Sequence, residues 1–181
     1  MIKKILLGLV LFAVLVVVVF VAAVSTRPDS FVITRSATIP APPAQVFPHV
    51  NDLRKWQAWS PWARLDPNAK ETISDPSVGQ GASFAWAGNN DIGEGKMTIT
   101  DSKPNEQILI DLEFIRPFAG TNLTEFTFEP KGDQTLVTWT MSGKNGFMGK
   151  AISLFIDCDK MCGDQFNQGF ENLKKVVQSA P

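Results

Sequence analysis

Through the second half of the chain apolar residues alternate with polar ones, and a period of two predicts strands. Phe84 and Trp86 share one face of the first such segment, and Met97 and Ile99 share a face of the next. Ile108, Ile110, Leu112 and Phe114 oppose Gln107, Asp111 and Glu113. Phe126 and Phe128 stand against Glu125, Thr127 and Glu129, and Val137, Trp139 and Met141 stand against Thr138 and Thr140. This pattern predicts an antiparallel sheet with one buried and one wet face. Turn-forming residues at 88–93, 102–105 and 131–133 separate the runs, so consecutive strands are expected to form a meander of hairpins.

Two other periodicities flank the sheet. Phe31 to Ile39 is strand-like, with Phe31, Ile33 and Ala37 on alternate positions. Pro40, Pro42 and Pro43 stop it, and Pro43 suits the first turn of a helix through Val46, Phe47 and Val50 that Pro48 keeps short or kinked. A second short helix, Leu53 to about Trp59, is ended by Ser60-Pro61. From about Gly149 to Gln178, Phe155, Cys158, Cys162, Phe166, Leu173 and Val176 fall at helical spacing with Gly169 on the same stripe. That spacing predicts one helix of about 30 residues, roughly 45 Å long, lying across the sheet. Glu171 and Lys175 form a favourable pair on its outer side.

At the N-terminus the pattern vanishes into continuous apolarity. Ile5 to Val24 carries no charge, and a run of about 20 residues spans the hydrocarbon of a bilayer. A signal peptide has an apolar region of roughly 7 to 15 residues, so the longer run favours an uncleaved anchor, although Val21-Ala22-Ala23 resembles a cleavage site. Lys3 and Lys4 precede the run and keep the short N-terminus cytoplasmic. Residues 1–25 are therefore expected to be a single-pass anchor in the cell membrane, the inner membrane of a bacterium, and 26–30 a linker. Residues 31–181 are expected to form one domain on the periplasmic or extracellular side.

Composition excludes other classes. With 44% hydrophobic and 19% charged residues and a formal net charge of -1, the chain is neither disordered nor basic, and it lacks the clustered Arg, Lys and aromatic residues of a nucleic-acid binder. No glycine-rich phosphate loop opens a helix. One histidine and no Cys-x-x-Cys leave a structural metal site unsupported. The pattern assigns no cofactor and no oligomeric state. Cys158 and Cys162, four apart on one predicted helix, bridge poorly and are expected to be buried free thiols.

A strand, two short helices, a curved antiparallel sheet and a long C-terminal helix is the order of the helix-grip fold, an α+β class, here preceded by one transmembrane helix. In the segments R-S-A-T-I-P-A-P-P-A-Q-V-F (35–47), N-D-L-R-K-W-Q-A-W-S-P-W (51–62), G-Q-G-A-S-F-A-W-A-G-N (79–89), G-E-G-K-M (93–97) and F-N-Q-G-F-E-N-L-K (166–174), the chain resembles the SRPBCC superfamily. That superfamily includes START-like lipid-transfer, Bet v 1-like and polyketide cyclase/dehydrase proteins, and the chain is similar to its membrane-anchored bacterial members. The resemblance implies a cavity between sheet and helix suited to a lipid or another hydrophobic small molecule. It transfers no activity.

Candidate ligand-binding residues are the aromatics expected to face inward. Trp56, Trp59 and Trp62 either plug the core, line the cavity or meet the bilayer interface; Phe84, Trp86, Phe114, Phe126, Trp139, Phe155 and Phe166 are the others. The weak acid–base candidates are His49, whose nearest carboxylate in sequence is Asp52, and Glu94 between two glycines. Asn122 and Glu125 are further polar candidates for the cavity mouth, and Asp157 and Asp159 are expected to be solvated. Binding of a hydrophobic small molecule or lipid is the favoured function, with a cyclase/dehydrase-like enzyme and an envelope adaptor with a filled core as alternatives.

Overall fold

A computed structural model describes residues 2–179. The apolar run is one helix, α1 (Ile2–Ser25), exposed along its length except near its end, where Val24 is buried. At 24 residues it is about 36 Å long, long and apolar enough to cross a membrane. The strand β1 (Ser30–Ile39) follows, then α2 (Pro43–Asn51) with Pro48 inside it, then a 3-10 helix, Leu53–Ala58.

Six further strands follow: β2 (Lys70–Ile73), β3 (Ser83–Ala87), β4 (Glu94–Lys103), β5 (Gln107–Arg116), β6 (Gly120–Lys131) and β7 (Gln134–Lys144). They form one antiparallel sheet in the order β1-β7-β6-β5-β4-β3-β2. The expected meander therefore runs from β2 to β7, and β1 closes on its far edge with Arg35 opposite Trp139. The inward residues Ile99, Ile108, Ile110, Phe126, Phe128 and Val137 are buried. Outward hydroxyls pair across strands, Thr34 with Thr140 at 3.1 Å and Ser36 with Thr138 at 2.8 Å. Register shifts at Glu94/Gly95 and Ile99/Asp101 bend β4 over the core. The edge strand β2, of sequence K-E-T-I, escapes the alternation rule because it is only four residues long and three of them are exposed.

The C-terminal segment departs from the single 30-residue helix. A short α3 (Phe147–Ile152) is separated by a turn from α4 (Cys158–Ser179), which has 22 residues. Asp157 causes the fresh start: its Oδ1 accepts the Lys160 N–H at 2.9 Å, capping α4. Phe155 consequently falls in the turn and is 81% exposed, not an inward residue. The buried stripe of α4 is Gly163, Phe166, Gly169, Phe170, Leu173 and Val177. Glu171 pairs with Lys174 at 2.7 Å rather than with Lys175.

Asp159 is exposed as expected, and it is also paired. Arg35, on the inward side of β1, reaches it with Nη2 2.9 Å from Oδ2, and this hydrogen bond holds the carboxyl below its ordinary value. A Cβ on Gly163 would fall 2.0 Å from the Arg35 guanidinium, so the missing side chain there leaves the space the guanidinium occupies. The 26–30 linker is also tied down. The Asn145 backbone N–H donates to the Asp29 carbonyl at 2.8 Å, Asn145 Nδ2 to the Pro28 carbonyl at 3.2 Å, and Lys150 pairs with Asp29.

Candidate functional site

The three tryptophans of W-Q-A-W-S-P-W are positioned by the end of α2. Asp52 stops that helix and caps the 3-10 turn, its Oδ1 accepting the Arg54 N–H at 3.1 Å and the Ser77 hydroxyl at 2.8 Å. In a 3-10 helix residues three apart eclipse, which brings the Trp56 and Trp59 rings to 4.7 Å. Both indole N–H groups go to carbonyls left open at the end of α2: Trp56 to Val50 at 2.7 Å, Trp59 to His49 at 2.9 Å. Asn172 on α4 then donates to the Trp59 carbonyl at 3.1 Å, tying the long helix to this segment.

Between this segment, the inner face of the sheet and the first turns of α4 lies a cavity of about 250 Å³. Trp56 and Trp62 border it; so do Phe84, Trp86 and Phe114 from the sheet. Trp139 and Phe166 form its floor, their rings stacked at 4.0 Å and 5°. Trp59 and Phe126 do not border it: each is essentially inaccessible and packs behind Trp139, at 5.8 and 4.8 Å between centroids. The run therefore divides its work, with Trp59 sealing the core while Trp56 and Trp62 face the space. Phe155 is far outside this set for the reason given above.

Gly95 fixes one wall. It lies opposite Trp86, and a Cβ there would come 2.5 Å from the indole ring. Trp86 therefore lies flat across the neighbouring strand, donating Nε1–H to the Ile92 carbonyl at 3.0 Å.

Two buried polar atoms in bordering side chains, Thr124 Oγ1 and Trp139 Nε1, find no hydrogen-bond partner among the described residues. Buried donors are normally paired; these two atoms are inaccessible in the free chain and lie behind the cavity surface. Thr124 shares the parity of Phe126 on β6, and that parity could have singled it out in the sequence. The other strand candidates fall elsewhere: Glu125 accepts a hydrogen bond from Gln107, and Asn122 Oδ1 sits over Gly143, where a Cβ would meet it at 2.1 Å. At the mouth, Gln57 Nε2 donates to Glu71 Oε1 at 2.7 Å, and Asp91 stands nearby on the border. No Lys, Arg or His borders the cavity among the described residues.

The acid–base candidates lie off the cavity. Glu94 pairs with Arg116 at 2.9 Å and is not on the border. His49 is half-buried, its Nδ1 has no partner among the described residues, and Asp52 is engaged with Ser77 and Arg54 instead. Cys162 borders the cavity, half-buried where a fully buried thiol was expected. Burial, with Cys158 and Asp159 nearby, pushes its thiol up, so it stays protonated and a poor nucleophile at neutral pH.

Burial, reinforced by Lys55, lowers the His49 pKa below the ordinary imidazole value. The unfolded chain thus takes the proton at a higher pH than the folded one does. The stability this residue contributes is complete above the unfolded value, about 6.5, and is lost as pH falls through the lower folded value. The midpoint of thermal unfolding is expected to fall more steeply from pH 7 to pH 5 for the parent than for His49→Gln. Ligand affinity at pH 7 is expected to be the same for both, which would separate His49 from the site.

Comparison with known proteins agrees with this architecture. A family model described as polyketide cyclase/dehydrase and lipid transport matches residues 30–178. A solved protein from Mesorhizobium loti superposes with a TM-score of 0.61 at 15% identity, covering 83% of this chain and 99% of its own. The Aha1 dimer from Colwellia psychrerythraea gives 0.60 at 18% identity, covering 82% and 97%. The structure named Ara h 8.0201 gives 0.56 at 12% identity, covering 83% and 99%. No curated protein matches the chain.

Proposed function

We propose, for a chain that belongs to the polyketide cyclase/dehydrase and lipid transport family of the SRPBCC superfamily, that it holds one apolar molecule between sheet and α4 and does no covalent chemistry on it. The observation that carries this reading is the apolar cavity, two of whose bordering side chains each hold an unpaired buried polar atom. A cavity of about 150 Å³ accepts benzene, so one of about 250 Å³ accommodates a body of roughly two fused rings or a short acyl segment. An indole N–H only donates; the favoured ligand therefore carries an acceptor. Each unpaired buried group costs roughly 1–3 kcal/mol, which a ligand acceptor offsets once a small turn of the Trp139 ring brings its N–H, inaccessible in the free chain, to the cavity surface. With Glu71 and Asp91 at the mouth and no cation on the border, a neutral ligand is favoured over a carboxylate or phosphate.

The same reading takes α1 as an uncleaved anchor, with Lys3 and Lys4 cytoplasmic and the domain on the outer face of the membrane. Binding is preferred to catalysis because His49 and Glu94 stand off the cavity and the Cys162 thiol is protonated. An open cavity also speaks against an adaptor with a filled core.

Calorimetry on the full chain in nanodiscs, blanked with empty nanodiscs, tests this with three molecules of one shape. 2-Acetonaphthone is expected to bind about 2- to 10-fold more tightly than naphthalene, the worth of one hydrogen bond, and 2-naphthoate is expected to bind least. Heat indistinguishable from the blank for all three would remove the binding reading.

A further inference from the structure

Antiparallel pairing puts several chain segments at one end of the sheet. The start of β1 lies opposite the end of β7, the start of β6 opposite the end of β5, and the start of β4 opposite the end of β3. The 26–29 linker, the β3–β4 turn, the β5–β6 turn and the β7–α3 connection therefore gather at the same end. The cavity reaches this end too, since Trp86, Asp91, Ile92 and Phe114 border it and its exposed border residues, Glu71 and Asp91, lie here. The exit of α1 is fixed to this end by the packing of α1 on α3, by the burial of Val24 and by the Asn145 and Lys150 contacts to 28–29.

Near this end are large apolar side chains left largely exposed. Phe118 in the β5–β6 turn is 54% exposed, Phe147 and Met148 on α3 are 56% and 52%, and Phe155 and Ile156 in the following turn are 81% and 46%. A group of exposed large apolar side chains on neighbouring segments of this kind marks a membrane or protein contact. Its junction with the uncharged run Ile5–Val24 of α1, through the packing of α1 on α3, selects the membrane: a bilayer around α1 meets these residues where the helix leaves it, and aromatic side chains favour that depth.

We infer that the domain docks on the bilayer through Phe118, Phe147, Met148, Phe155 and Ile156, with its cavity mouth turned to the lipid. A ligand then passes between cavity and bilayer without crossing open water, and the segment 153–157 that interrupts the C-terminal helix serves to present Phe155 and Ile156. This docking rests on the reading of α1 as a membrane anchor.

The test uses the full chain with Cys158→Ser and Cys162→Ser, shown by circular dichroism to fold as the parent, in phosphatidylcholine vesicles. A nitroxide is placed singly at Val14→Cys, Phe118→Cys, Phe155→Cys or Asp133→Cys, the last in the β6–β7 turn at the opposite end of the sheet. Collision with oxygen against a water-soluble nickel chelate reports depth. Labels at 14, 118 and 155 are expected to favour oxygen several-fold over the label at 133. If 118 and 155 read like 133 while 14 stays in lipid, the anchor stands and docking is overturned. An aqueous reading at 14 overturns the anchor and docking together. Dipolar broadening at 155 that vanishes on dilution with unlabelled chain puts a second copy on the patch and overturns the bilayer assignment.

Discussion

Alanine in place of Trp139 is expected to lower the unfolding free energy by about 3–5 kcal/mol, the range for emptying a large aromatic from a packed core. Trp139 is 3% exposed, stacks on Phe166 at 4.0 Å and lies within 6.5 Å, centroid to centroid, of Trp56, Trp59, Trp62, Phe126 and Phe170. It joins the sheet, the tryptophan segment and α4, so its loss loosens all three at once. Denaturant unfolding of the full chain in detergent, followed by near-ultraviolet circular dichroism, reads the effect; a loss under about 1 kcal/mol would show that the cluster is not the keystone described. Trp139→Phe separates packing from polarity. It keeps a ring on Phe166 and removes the unpaired N–H, so stability is expected to fall far less. The preference for 2-acetonaphthone over naphthalene is expected to shrink with it.

The second large effect is on binding with the fold intact. Leu112 on β5 is half-buried and borders the cavity. Leu112→Trp puts an indole into the space a ligand would take. Affinity for 2-acetonaphthone is expected to drop at least about 10-fold, equivalent to about 1.4 kcal/mol. The thermal midpoint is expected to hold or rise, because filling an existing void stabilises whereas overfilling a packed core costs about 1–3 kcal/mol. Unchanged affinity in the folded variant would place the ligand elsewhere. A steep fall in the midpoint would mean that the space beside Leu112 is already full.

Much of this architecture was legible because burial on one face of a sheet writes itself as alternation. Phe126 and Phe128 against Thr127 and Glu129 announce a strand wherever it pairs. K-E-T-I of β2 does not, since an exposed edge strand buries almost nothing. The helical stripe through Phe155, Cys158 and Cys162 continued on paper across the break before α4. What overrode it is one local hydrogen bond, Asp157 to the Lys160 N–H, a cap that the aspartate in I-D-C-D-K does signal. Phe170, 1% exposed and one turn beyond Phe166, was missed because the wide stripe of a core helix includes more positions than one spacing rule selects. The inward tryptophans were legible as a group, but their division was not. Whether Trp59 seals or lines depends on which ring fills which gap, and periodicity gives direction without volume. The unpaired state of Thr124 and Trp139 is likewise a property of packing that no pattern of residue types contains.

Native mass spectrometry of the full chain released from cells in mild detergent, with organic extraction of what it carries, tests ligand binding most directly. One neutral apolar adduct per chain is expected, present on the parent and absent from Leu112→Trp. A parent chain without an adduct that also shows no saturable binding of 2-acetonaphthone, or an adduct equally abundant on both chains, would contradict binding in this cavity.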